Sequence, residues 1–242
     1  MLFKFLFNCI TIIITLYKFE MKIKKNIYNF INKIFLIFFK IFLKLNFSTL
    51  ITLLIYFSLH RSKKINNPKK YNKIKIIINK SAGISDVEQA LSERKINNKY
   101  LILERKYLIL IQEFFLKKKI YDYDLFNDKI TNSANYYKYE KFLNSILKKL
   151  KVIIGNYSFF SFNFSYGDEI VLHKLCNQNS INFCVIHKES ISSPAQIKAQ
   201  KIIFKRIIKS PLNKITKIFV YNKFTSDLLI RSNVFKKNQI IT

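Results

Sequence analysis

The chain has 242 residues, half of them hydrophobic, with three Gly and three Pro; this excludes a largely disordered or collagen-like protein and is enough for one good-sized domain plus an appendage. Its 43 Lys and Arg against 14 Asp and Glu give a formal net charge of +29, which invites a nucleic-acid reading. That reading is set aside: only Arg61, Arg94, Arg105, Arg206 and Arg231 are Arg, and Lys, Ile, Asn, Phe and Tyr are inflated together, the mark of A+T-rich codons rather than of a surface chosen to grip phosphate and guanine.

Residues 1–60 read as hydrophobic, basic, membrane-associated helices. The first apolar stretch, Leu2 to Tyr17, is broken by Lys4 and Asn8 and lacks a small-residue cleavage site; Met21 offers a second start behind it. The second stretch runs from Ile27 to His60. On a helical wheel Lys33, Lys40 and Lys44 fall within about 40° of one another, leaving a wide Ile, Leu and Phe face from Phe30 to Leu45. Such a helix can lie in a membrane interface with its lysines reaching the headgroups. A continuous charge-free run of about 18 residues is absent there, but Leu45 to Leu59 offers fifteen uncharged residues, which leaves spanning open beside the interfacial reading. Arg61, Lys63, Lys64, Lys69 and Lys70 follow, a flank that the positive-inside rule keeps cytoplasmic, so the expected location is the cytoplasmic face of a membrane, a bacterial inner membrane. The competing reading is a helical hairpin packed on its own domain. Asn66-Asn67-Pro68 breaks the pattern, and 61–72 is the expected linker.

From residue 73 onward short apolar runs alternate with amphipathic segments. Strands are expected at Lys73–Asn79, Tyr100–Glu104, Lys151–Asn156, Asn182–His187, Lys217–Asn222 and Gln239–Thr242. Helices are expected at Val87–Arg94, Tyr107–Lys119, Asn135–Leu150, Asp168–Asn177, Ala195–Ile208 and Lys223–Arg231. This predicts an α/β fold with an open, mostly parallel, Rossmann-like sheet over 73–242. Ligands of such sheets bind beyond the carboxyl ends of the strands, which directs attention to Ser81–Asp86, Glu104 and Arg105, Asn156–Ser158, His187–Ser190 and Tyr221–Lys223.

Two of these loops carry chemistry. In Ser81-Ala82-Gly83-Ile84-Ser85-Asp86 small residues and a following helix start let backbone N–H groups approach an anion or a sugar, although Ser85 with Glu88 equally makes a capping box. In His187-Lys188-Glu189-Ser190 an imidazole beside a carboxylate can serve as general base on an acceptor hydroxyl; the plainer alternative is a solvated loop. His187 and Glu189 are the catalytic candidates, and Ser81, Gly83, Asp86, Lys188 and Ser190 the acceptor-binding ones. His173, Cys176, Cys184 and His187 spell H-x2-C…C-x2-H, but Cys184 and His187 stand three apart on a strand and so face opposite ways; no metal is expected. Three cysteines, Cys9 included, are too few for a disulfide framework and fit a reducing compartment. The run Tyr157–Tyr166 (YSFFSFNFSY) reads as core or loop packing rather than as a stacking platform.

The first strand leading into the SAGISD loop resembles the opening of GT-B glycosyltransferases. Asn182–Pro194 (NFCVIHKESISSP) resembles a strand-and-HKE stretch of bacterial surface-carbohydrate (capsular polysaccharide) biosynthesis proteins, which are similar to those enzymes and to CDP-glycerol glycerophosphotransferases; Lys217–Thr242 resembles their following unit. The resemblance covers about 73–242. It implies the N-terminal, acceptor-side lobe of a membrane-associated transferase, moving a sugar or polyol phosphate from a nucleotide-activated donor to a glycan or lipid-linked acceptor. It places His187 and Glu189 on the acceptor-side loop and Asp86 near the cleft. That family continues past the position of Thr242 into a donor lobe, so this chain reads as truncated before it: no cofactor is expected in the chain, the donor belongs to the missing lobe, and the lobe alone is inactive. The alternative is a non-catalytic, membrane-tethered α/β binding module.

Overall fold

The computed structural model describes residues 25–61, 75–79, 100–117, 128–162, 167–187, 198, 215–231, 233 and 235–242. Residues 1–24, the linker from 62, the expected helices Val87–Arg94 and (Lys198 apart) Ala195–Ile208, and the loop residues Ser81, Gly83, Asp86, Lys188, Glu189 and Ser190 lie outside the described residues.

The elements run α1 (Lys25–Lys44), α2 (Ser48–Arg61), β1 (Lys75–Asn79), β2 (Tyr100–Leu103), α3 (Arg105–Leu116), α4 (Asp128–Thr131), α5 (Ala134–Ile154), β3 (Tyr157–Ser161), α6 (Gly167–Gln178), β4 (Asn182–His187), β5 (Lys217–Val220), α7 (Lys223–Arg231), a 3-10 turn (Lys237–Gln239) and β6 (Ile240–Ile241). The protein is α/β, with a parallel sheet ordered β2-β1-β3-β4-β5-β6 among the described residues. The order reverses between β1 and β3: the chain goes outward from β1 to β2, then returns to the other side of β1 and continues outward to β6. Such a reversal opens a crevice at the carboxyl ends of the two strands.

Register fixes which residues share a face. Phe159 is opposite Phe183 and Ser161 opposite Val185, while Val185 is opposite Ile218 and His187 opposite Val220. Side chains alternate, so Tyr157, Phe159, Ser161, Phe183, Val185, His187, Ile218 and Val220 all lie on one face. Most of that face is core: Phe159 stacks on Phe183 with ring centroids 5.7 Å apart, and His173 of α6 meets Phe183 edge-on at 5.6 Å. α5 belongs to the same core, its buried Tyr136, Tyr139, Phe142, Leu143, Ile146, Leu147, Leu150 and Ile154 recurring at three- and four-residue spacing. The other face carries Phe160 stacked on Phe219 at 6.2 Å.

One predicted strand is corrected. Lys151–Asn156 is not β3; residues up to Ile154 are the last turn of α5, and the strand begins at Tyr157. The β-branched Val152-Ile153-Ile154 run favours a strand locally, but Leu150 and Ile154 continue the buried stripe of α5 and Val152 stands exposed, so packing overrides propensity. Gly155 then ends the helix at φ 86°, a value that favours glycine, with its N–H donating to Lys151 O at 2.9 Å. At the other end Ser133 caps, its Oγ accepting from Tyr136 N at 3.2 Å.

The α1–α2 hairpin belongs to the same core as the sheet domain. Phe35, Phe39, Phe42 and Leu43 of α1 and Leu50, Ile51, Leu54, Ile55 and Leu59 of α2 are buried in one cluster with Leu101, Leu103, Tyr107 and the α5 stripe. Phe35 and Phe39, one turn apart on α1, both pack on the Tyr107 ring, at 5.5 and 5.2 Å. Asn46, at φ 55°, turns the chain, and Phe47 N donating to Phe42 O at 3.0 Å closes the end of α1. Lys149 of α5 donates to Ser48 Oγ at 2.6 Å and Thr49 Oγ1 at 2.8 Å. The wide apolar face of α1, read as a membrane face in the sequence, is thus turned inward. Among the described residues no helix is long and apolar enough to cross a membrane.

Candidate functional site at the carboxyl end of β3 and β4

β3 ends at Ser161, beside the strand-order reversal. The side chain of Ser161 is fully buried and donates its hydroxyl hydrogen to the Glu169 carboxylate. Glu169 is the third residue of α6 and is itself buried, so a carboxylate sits in a helix's first turn, where the backbone dipoles favour it. Inward Phe159 and Ser161 stand two apart on the strand, and Glu169 in the first turn of α6 meets the serine.

On the neighbouring strand His187 is the last residue of β4 and faces the same side of the sheet. It stands one inward position beyond Val185, the partner of Ser161; strand spacing and rise put the two backbone positions roughly 8 Å apart. His187 is 5% exposed, and burial pushes its imidazole down from the ordinary 6.5 to about 4. At neutral pH it is uncharged, with one ring nitrogen a donor and the other an acceptor. A buried neutral imidazole and a serine held by a carboxylate are groups suited to hydroxyls, not to phosphate charge.

Of the predicted site residues, His187 is thereby placed at a strand's carboxyl end; Glu189, Lys188, Ser190, Ser81, Gly83 and Asp86 lie outside the described residues. By sequence position Ser81–Asp86 follows β1, one wall of the reversal crevice. Asn156–Ser158 is corrected: with β3 starting at Tyr157 these residues occupy the strand's amino end, away from the ligand-binding edge. Ser161 and Glu169 were missed for the same reason, since the true strand end is hidden inside an aromatic run. The available signal was the inward alternation Tyr157, Phe159, Ser161, which ends in a polar residue just before a helix.

The H-x2-C…C-x2-H residues do not converge. His173 lies against Phe183, and Cys184 is on the sheet face opposite His187. Burial pushes both the Cys176 and Cys184 thiols up, and Lys217 only partly offsets this at Cys184, so both stay protonated. Among the described residues no group of three or more His, Cys, Asp or Glu is placed to hold a metal ion. A cavity of about 710 Å³ opens at the opposite, amino end of the sheet, lined by Asn177, Thr216, Asn233, Lys236 and Gln239. Its polar lining includes groups already used in structure, Gln239 Nε2 donating to Ile215 O at 2.6 Å, and its position is the wrong end for a parallel-sheet ligand.

No protein-family model, no curated protein and no solved structure matches this chain.

Proposed function

We propose that the chain is the acceptor-side α/β lobe of a glycosyltransferase-like enzyme of cell-surface polysaccharide synthesis, working at the cytoplasmic face of a membrane on a glycan or lipid-linked acceptor. The observation that carries the reading is His187: buried, neutral and at the carboxyl end of β4, on the sheet face shared with the Ser161–Glu169 pair. The nucleotide-activated donor belongs to a second lobe. In transfer, the acceptor oxygen bonds to the donor's anomeric carbon as the bond to the nucleoside diphosphate breaks; for a polyol phosphate the attack is at phosphorus and a nucleoside monophosphate leaves. The acceptor's proton goes to Glu189 in this scheme. Protonating His187 creates a buried cation, whereas protonating Glu189 removes a charge, so His187 is the residue that positions the hydroxyl. Ser81, Gly83, Asp86, Lys188 and Ser190 complete the acceptor surface.

The small exposure of His187 also favours a second reading, a non-catalytic membrane-tethered module that holds the same glycan without reacting. Both readings expect binding of oligosaccharide acceptors by titration calorimetry, weakened about tenfold or more in His187→Ala. A panel in which no glycan binds, or in which the variant binds like the wild type, overturns both. Transfer from labelled nucleotide donors in membranes of the producing cell separates them: the enzyme reading expects Glu189→Gln to lose about a hundredfold or more, and the module reading expects no transfer to depend on this chain.

A further inference from the structure

The fold leaves a second feature unexplained. With the broad face of α1 committed to the core, its outer side still exposes large apolar residues: Phe30, Ile37 and Ile41, with Leu45 and Phe47 continuing the row at the hairpin turn, are between 40% and 62% exposed. On the helix Phe30, Ile37 and Ile41 lie within about 40° of one another, opposite Phe35, Phe39 and Phe42. Lys33, Lys40 and Lys44, all exposed, form a parallel row about 60° to one side. No acidic residue occurs between Glu20 and Asp86, a segment with fourteen Lys and Arg.

We infer that this outer stripe of α1 is a peripheral membrane-docking surface whose partner is a bilayer carrying anionic lipid headgroups. The inference does not rest on the glycosyl-transfer reading. A single helix presents a convex ridge, so a protein partner must supply a groove to cover it, whereas a bilayer accepts a ridge: the apolar row enters the headgroup and acyl boundary to about 5–10 Å while the lysines stay among the phosphates. Charge complementarity selects anionic lipid, because the ridge carries only cations. The arrangement inverts the sequence expectation: the narrow apolar row beside the lysines meets the membrane, and the wide face holds the protein together. It also lets one helix serve both ends without spanning.

The test is flotation of the full chain with vesicles of phosphatidylcholine alone and of phosphatidylcholine with an equal part of phosphatidylglycerol, with no glycan present. Binding is expected on the anionic vesicles, weakening steeply with salt. Replacing Phe30, Ile37 and Ile41 together by Ser is expected to lower the partition constant about a hundredfold or more, and replacing Lys33, Lys40 and Lys44 by Gln to lower it by about the same factor. Because these side chains are exposed, both variants should keep the wild-type urea midpoint. Should the serine variant unfold, the lysine variant and the lipid dependence decide alone. Equal binding to neutral and anionic vesicles, or variants that float like the wild type, overturns the inference; the latter result assigns membrane affinity to another part of the chain. Loss in the lysine variant with full retention in a folded serine variant also overturns it, since it describes a purely Coulombic surface such as one for nucleic acid.

Discussion

The seam between the hairpin and the sheet domain and the carboxyl end of β3 and β4 are equally dry, and their chemistry is opposite. At the seam Phe35, Phe39, Phe42, Ile51, Leu54 and Tyr107 bury apolar surface at 0–2% exposure, with one lysine at its margin. At the strand ends the same depth of burial is spent on a serine, a carboxylate and an imidazole, Ser161, Glu169 and His187. Burial at the seam stabilises by removing hydrocarbon from water, about 25 cal/mol per Å². Burial at the strand ends costs stability unless every polar group is satisfied. A chain with so many Phe and Ile could have filled those positions with hydrocarbon, as it did at Phe159 and Val185, two residues earlier on each strand. Polar groups held at that depth, at the edge where parallel sheets take ligands, are the physical reason for proposing the acceptor site there.

If that contrast is right, truncation at the seam carries the largest effect on the molecule. Phe39 is fully buried, 5.2 Å from the Tyr107 ring and 6.5 Å from Phe35. Phe39→Ala is expected to destabilise by about 3–5 kcal/mol in urea unfolding, through lost transfer free energy and the cavity left behind. The hairpin amides should lose hydrogen-exchange protection along with those of α5. A loss below about 1 kcal/mol, or exchange confined to the hairpin, would make the hairpin a separate appendage and break the comparison.

The strand ends should answer to pH where the seam does not. Above about pH 6.5 His187 is neutral in the folded and the unfolded chain, and the stability associated with its burial is fully present. As pH falls from about 6.5 towards about 4 the unfolded chain binds a proton that the folded chain refuses, and stability drops by about 3 kcal/mol; below about 4 both states bind it and this part of the fall ends. The measurement is the difference in urea midpoint between wild type and His187→Gln across that range, which cancels the carboxylates common to both. Parallel curves would mean that His187 titrates normally and is open to solvent, and would take away the dry polar site.

Much of this was readable in advance, and the failures share a cause. Asn182–His187 and Lys223–Arg231 have the expected bounds because each is a short segment whose local preference and burial agree: a β-branched and aromatic strand, and a helix begun by Asn222, whose Oδ1 accepts from Thr225 N at 2.7 Å. Lys151–Asn156 was misread because preference and burial disagree there, and only the register of the α5 stripe against the sheet decides. That error also moved the end of β3 and hid Ser161 and Glu169. At α1 the wheel separated lysines from apolar residues correctly. What periodicity does not hold is which of two apolar rows faces the protein; that depended on Tyr107 lying where Phe35 and Phe39 could both pack on it. The remaining site candidates lie on loops outside the described residues.

The smallest expected effect is the sharpest probe of the seam, because it asks whether polar contacts contribute anything there. Lys149 reaches from α5 to the start of α2, donating to both Ser48 Oγ and Thr49 Oγ1, and Ser48 Oγ also lies 3.2 Å from Ser145 Oγ. These contacts are partly buried or, at Thr49, exposed, so water competes for each, and a lysine at a helix N-terminus opposes the local dipole. Lys149→Met keeps the aliphatic stem and removes the ammonium; the expected loss is about 0.5–1 kcal/mol, with hydrogen exchange quickened in the first turn of α2 and unchanged in β3 and β4. A double-mutant cycle with Ser48→Ala should show a coupling no larger than the single effects. A loss approaching that of Phe39→Ala would mean that the hairpin is bolted by polar contacts rather than sealed by hydrocarbon, and that the two regions differ less in their physics than their side chains suggest.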